Sequence, residues 1–81
     1  MTASTIFVID DEEVIREGIA VALEGGYSIK TFAAAESALE NMKNKPPDLI
    51  LLDIGLPGMD GIQALKEMKR RNSDIPVIMI T

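Results

Sequence analysis

The sequence contains no cysteine and no histidine. The first absence excludes disulfides and thiolate metal sites. The second excludes imidazole ligands, histidine acid–base catalysis and a phosphohistidine on this chain. Carboxylates must therefore carry any metal chemistry. Cationic charge is also scarce: 8 Lys and Arg against 13 Asp and Glu leave a net charge of −5. Binding to a nucleic-acid backbone draws on clustered Lys and Arg, so direct nucleic-acid binding by this segment is not expected. No apolar run approaches the ~20 residues of a membrane span. Residues 1–4 lead into no basic stretch followed by a long apolar segment, so no signal peptide is expected and a cytoplasmic location is the default. With 81 residues, 47% of them apolar and 26% charged, the chain reads as one domain with one core. A domain of this size buries only roughly 60% of its extended-state surface.

Thr5–Ile9 reads TIFVI, a short β-branched and apolar run that stops at Asp10, as a strand buried on both faces does. From Glu12 the period changes. Val14, Ile15, Ile19, Ala22 and Leu23 recur at helical spacing as far as Gly25-Gly26, a favoured helix stop. Ser28–Phe32 is more polar and suits an edge strand. Ala35–Asn44 predicts a second helix with Ala38, Leu39 and Met42 on its buried side, ended by Lys45 and Pro46-Pro47. Leu49–Leu52 is again wholly apolar and again ends on an acid, Asp53, before the loop marked by Pro57-Gly58 and Gly61. Ile62, Leu65 and Met68 mark the buried side of a third helix running to about Arg71, with Glu67 and Arg71 set for an i,i+4 pair. Pro76 then introduces a fourth strand, Val77–Ile80.

Alternating strands and helices call for parallel strands joined by right-handed crossovers. Strands one, three and four are apolar without alternation, so helices must cover both faces, which a doubly wound, flavodoxin-like α/β sheet does. If strand two lies on one side of strand one and strand three on the other, the order 2-1-3-4 borrowed in part from known doubly wound folds, right-handed crossovers place helix one on one face and helices two and three on the other. The order then reverses between strands one and three, where open α/β sheets bind ligands at the carboxyl ends of the strands.

Asp10 and Asp11 leave strand one and Asp53 leaves strand three, so this topology gathers three carboxylates in one crevice. Clustered acids repel and raise at least one pKa unless a cation neutralises them. A hard, oxygen-seeking cation is the natural answer. Mg2+ is suited to one or two carboxylates plus a backbone carbonyl, and Mn2+ would substitute. Plainer roles compete. Asp11, Glu12 and Glu13 stand at a helix start, where acids gain about 0.3–1 kcal/mol. Asp53 alone would serve as a turn residue, and Asp60 is best explained as the N-cap of helix three. Those roles leave unexplained why two separate apolar strands both end in acids at the reversal point.

VIDDEE after a first strand, LILLDIGLPGMDG and a terminal PVIMIT together resemble the receiver domain of two-component response regulators. The resemblance implies that Asp53 is a phosphoacceptor, taking a phosphoryl group from a sensor histidine kinase or a small phosphodonor. It implies Asp11 as a direct Mg2+ ligand, Asp10 acting mainly through water, and the backbone carbonyl of Gly55 as the third protein ligand. Pro57 and Gly58 shape the loop, and Thr81 bonds the phosphoryl group. Such a domain assists its own phosphoryl transfer and is not otherwise an enzyme.

The family pattern continues with a fourth helix, a fifth strand ending in Lys and a fifth helix. Residues 1–81 therefore read as the N-terminal part of one receiver domain, with an output domain expected beyond it. None of Lys30, Lys43, Lys45, Lys66 and Lys69 matches the lysine that pairs with the phosphoryl oxygens. A structural or interaction module that takes no phosphate is the alternative reading. Strand four is expected to form an exposed apolar edge through which the chain self-associates. An acid-nucleophile phosphatase would want Asp-x-Asp after strand one, and a calcium loop would want oxygens at alternate positions. Neither pattern is present.

Overall fold

The computed structural model of the chain describes residues 4–80. Its elements run β1 (Thr5–Ile9), α1 (Glu13–Leu23), β2 (Ser28–Phe32), α2 (Ala35–Met42), β3 (Leu49–Asp53), α3 (Gly61–Arg71) and β4 (Val77–Ile80). All strand pairs are parallel and the sheet order is β2-β1-β3-β4, the doubly wound, flavodoxin-like order expected from the sequence. In the β1–β3 register Ile9 faces Leu52. Asp10 and Asp53 are thus the next residues along two adjacent strands.

One sheet face is sealed. Phe7, Ile9, Ile50 and Leu52 form a continuous core with Ala35, Ala38, Leu39 and Met42 of α2 and Ala64 and Met68 of α3. Each α2 residue in that set falls on one i, i+3, i+4, i+7 stripe. Phe7 and Phe32 meet with ring centroids 4.7 Å apart and planes at 54°, a tilted geometry that adds about 0.5–1.5 kcal/mol beyond area burial. On the outer side of α3, the Glu67 carboxylate accepts from Arg70 at 2.6 and 3.1 Å and from Arg71 at 2.9 Å. The Arg70 hydrogen bonds first, then that of Arg71, hold its pKa down at about 2.

The other face is covered less completely, and here the expectations from helical spacing need correction. No residue of α1 is buried. Val14 is 81% exposed, and the half-buried stripe toward β1 and β2 is Arg16, Ile19, Ala20 and Leu23 rather than the apolar set beginning at Val14 and Ile15. A helix resting on two strands covers only the stripe beneath its axis, so Ile15, about 90° round from it, and Val14, nearly opposite, stay in solvent. For the same reason Ile62 of α3 is 45% exposed while Ala64 is fully buried. Burial of β3 and β4 on both faces is also not found: Leu51 is half-buried and Ile78 is 51% exposed, both on the α1 side. Helix α2 stops at Met42, two residues before Asn44, because Lys43–Lys45 turn toward Pro46-Pro47, which disfavours helical backbone at the residue before it. Among the described residues β4 has no neighbour on its outer edge, and none of the helices is long and apolar enough to cross a membrane.

Candidate functional site

Asp10 is the first residue past β1 and is only 2% exposed. Its N–H donates to the Phe32 carbonyl at 3.0 Å. Its own carbonyl accepts from Arg16 Nη1 at 2.8 Å, and its carboxylate Oδ1 accepts from the Glu12 N–H at 2.9 Å. Asp53, the last residue of β3, is 8% exposed, and its Oδ1 accepts from the Gly55 N–H at 2.9 Å. Asp11 is exposed. One carboxylate oxygen from each of Asp10, Asp11 and Asp53 lies within 4.8 Å of the others, so the structure does bring the three predicted acids together.

Two like unit charges at that spacing repel by roughly 1 kcal/mol in water and about 3 kcal/mol at an effective dielectric of ~20. A divalent cation among them removes that repulsion. The donors are all oxygens, the chemistry of a hard cation such as Mg2+ or Mn2+ rather than of zinc or copper. The residues present therefore fit the cation that the sequence implied.

The plainer explanations fare unequally. Glu12 is the N-cap of α1 and makes no side-chain cap bond, and only Glu13 falls in the first turn, so capping does not account for Asp11. Asp53 does close a local turn through Gly55, and that bond orients its carboxylate while the cluster uses it. Asp60 is the N-cap of α3: its Oδ1 accepts from the Gln63 N–H at 2.9 Å, and Gln63 Oε1 accepts from the Asp60 N–H at 3.3 Å. This is a complete capping box, which leaves Asp60 outside the cluster. Gly55 sits against Asp53 through its backbone. Thr81 lies outside the described residues; its predecessor Ile80 pairs with Asp53, and the Ile80 carbonyl accepts from the Ile54 N–H at 3.1 Å. At the strand ends, where the crevice was expected, Asp10 and Asp53 are buried and Asp11 is exposed.

Two residues that support the site carry little sequence signal. Arg16 acts on a backbone oxygen six residues earlier, a contact no periodicity announces. Gly61 opens α3 so close to the β3 loop that a methyl group there would lie 2.5 Å from Ile54 Cα and 2.6 Å from the Asp53 carbonyl oxygen. The sequence marked it only as loop punctuation.

A family model described as the response regulator receiver domain matches residues 6–81. Among curated relatives, the chain is 45% identical over 84 residues to the phosphate regulon transcriptional regulatory protein PhoB of Pseudomonas aeruginosa, covering all of this chain and 37% of that protein. It is 40% identical over 82 residues to the DNA-binding transcriptional regulator NtrC of Escherichia coli K12, covering all of this chain and 18% of that one. Among solved structures, the N-terminal domain of a response regulator receiver protein from Methanoculleus marisnigri superposes with a TM-score of 0.89 at 42% identity, over 96% of this chain and 66% of that one. The chain thus spans well under half the length of these two curated relatives.

Proposed function

This chain belongs to the response regulator receiver domain family, and from that premise we propose that Asp53 accepts a phosphoryl group in a two-component pathway. The supporting observation is the approach of the Asp10, Asp11 and Asp53 carboxylate oxygens to within 4.8 Å of one another. A sensor histidine kinase is the donor. A carboxylate oxygen of Asp53 attacks the phosphorus of its phosphohistidine, the P–N bond breaks, the imidazole leaves with the bonding electrons, and an acyl phosphate remains on Asp53. Asp11 and Asp53, with the Gly55 carbonyl and with Asp10 through water, would hold Mg2+ or Mn2+. The chemistry such an ion would supply there is neutralisation of charge on the phosphoryl oxygens. Thr81 bonds the transferred group. The domain assists its own phosphorylation and serves no separate substrate. In this reading it works in the cytoplasm and passes its state to an output domain C-terminal to the segment.

The test is addition of beryllofluoride, a phosphoryl mimic, with Mg2+ while amide NMR shifts are followed. Shifts at Asp10, Asp53 and Gly55 that disappear in Asp53→Asn are expected. An unperturbed spectrum would instead favour a structural or interaction module that takes no phosphate. That second reading draws on the lysines: Lys69 donates to the Ile75 carbonyl at 2.7 Å and Lys43 to Glu40 at 3.1 Å, which commits both away from the acids. Self-association belongs to the same proposal: among the described residues no strand pairs with the outer edge of β4, and Ile78 is exposed. Sedimentation velocity should show a dimer or larger species at high concentration, and a well-folded monomer throughout would rule it out.

A further inference from the structure

We propose that Arg16 is a positioning residue for the carboxylate cluster, fixing the peptide between Asp10 and Asp11 so that both side chains are aimed at Asp53. This rests on the phosphoacceptor reading and adds a component to it. Glu12, Glu13 and Glu17 flank Arg16 in sequence, yet the ion pairs found among the described residues all belong to Lys43, Arg70 and Arg71. The half-buried Arg16 instead directs Nη1 at the Asp10 carbonyl, at 2.8 Å. That carbonyl is half of the Asp10–Asp11 peptide unit. Holding it fixes the backbone rotation from which the Asp11 side chain departs. Asp10 has two further anchors, its N–H on Phe32 and its Oδ1 on Glu12. Asp11 is exposed and stands before the first turn of α1; of the two peptide units that flank it, one is held through the Glu12 N–H by Asp10 itself and the other, through the Asp10 carbonyl, by Arg16.

Charge and position predict opposite effects, which makes the idea testable. A nearby guanidinium repels a divalent cation, so removing the charge alone would tighten Mg2+ binding. Removing a contact that orients the ligands loosens it, typically by roughly 10–100-fold for outer partners of metal ligands. The experiment is calorimetric titration with Mg2+ of the unaltered chain, Arg16→Met, which keeps the aliphatic stem without donors, and Arg16→Lys, which keeps the charge and one donor. Each is measured at a temperature where circular dichroism shows it folded. Expected are a Kd raised about tenfold in Arg16→Met and part of that loss recovered in Arg16→Lys. A purely structural role would lower the melting temperature and leave the Mg2+ affinity of the folded protein unchanged. Affinity in Arg16→Met equal to or tighter than the unaltered chain overturns the inference alone. If Arg16→Met does not fold, Arg16→Lys decides: weaker Mg2+ binding at constant charge supports the inference and unchanged binding overturns it. Failure of the unaltered chain to take up millimolar Mg2+ overturns the phosphoacceptor reading and this inference with it.

Discussion

Replacing Gly61 with alanine should destabilise the domain although it puts a better helix former into a helix. The added methyl would stand 2.5 Å from Ile54 Cα, 2.6 Å from the Asp53 carbonyl oxygen and 2.9 Å from the Ile54 carbonyl carbon. All three are backbone atoms, so no side-chain rotation relieves the overlap. Either α3 or the β3 loop must retreat by close to an ångström to restore ordinary contact. Overpacking costs about 1–3 kcal/mol, and overlap with three backbone atoms puts this case at the upper end, about 2–3 kcal/mol, against a helix-propensity gain of at most ~1 kcal/mol. A net loss of about 1–2 kcal/mol follows, which for a domain of this size lowers the melting temperature by roughly 4–16 °C. The retreat also strains the Gly61 N–H bond to the Ile54 carbonyl, 3.2 Å long, and with it the segment carrying Asp53 and Gly55. Mg2+ affinity should therefore fall as well. Urea unfolding followed by circular dichroism supplies the stability, with an unchanged m-value confirming that the folded state is the one affected. Gly18→Ala in the middle of α1 is the control. Nothing lies within 4 Å of its added methyl, so it should stabilise by up to about 1 kcal/mol. A Gly61→Ala protein as stable as the unaltered chain would refute the reasoning.

Removing the Asp60 cap by Asp60→Ala should cost about 0.5–2 kcal/mol, most of it recovered in Asp60→Ser, as read from urea midpoints; equal midpoints for Asp60→Ala and the unaltered chain would discount the capping box. Leu52→Ala, at a position fully buried in the core that the sheet shares with α2 and α3, should cost about 2–5 kcal/mol, and a smaller loss would mean that the core closes over the vacancy. The pH dependence of stability has a defined window through Glu67, whose pKa is lowered from 4.5 to about 2. Because the folded value lies below the unfolded one, this contribution is fully present above pH 4.5 and is lost as pH falls toward 2. Solvent exposure of the cluster makes it small and salt-sensitive. Carboxyl NMR titration gives the midpoint directly, and a value near 4.5 would show that Arg70 and Arg71 do not hold it.

The parallel strands and the acids that end two of them were legible because both rest on local signals, whereas the sheet order that brings Asp10, Asp11 and Asp53 together drew also on known doubly wound folds. Apolar runs without alternation mark interior parallel strands, and an acid that ends such a run marks the strand's carboxyl end. What periodicity misjudged was which apolar residues a helix buries. Ile15 stands at helical spacing from half-buried Ile19, and Ile62 from half-buried Leu65, but the covered stripe is set by where the helix axis lies over the sheet, and that depends on every element at once. Ala64 escaped notice for the converse reason: its small side chain signals little, yet it marks where α3 approaches the core closely. Arg16 and Gly61 were illegible because their partners are backbone atoms of other segments, and sequence pattern records side chains. Asp60 was legible because its cap partner, Gln63, is three residues away.

The same distinction explains how three like charges are held in a defined arrangement. The carboxylates of Asp10 and Asp53 each accept from an N–H two residues on, and the strands that carry them are held by main-chain hydrogen bonds that reach across the sheet. Outer strand β2 holds Asp10 through the Phe32 carbonyl, and outer strand β4 holds Ile54 through the Ile80 carbonyl. The central strands β1 and β3, which bear the acids, are therefore braced from both sides just where they end. Arg16 and Gly61 continue that bracing past the last strand pairs, one on each central strand, by a donated hydrogen bond and by a missing methyl. Displacement of either bracing strand would move one acid relative to the other two. The separation of Asp53 from the Asp10–Asp11 pair thus depends on the packing of β4 and α3.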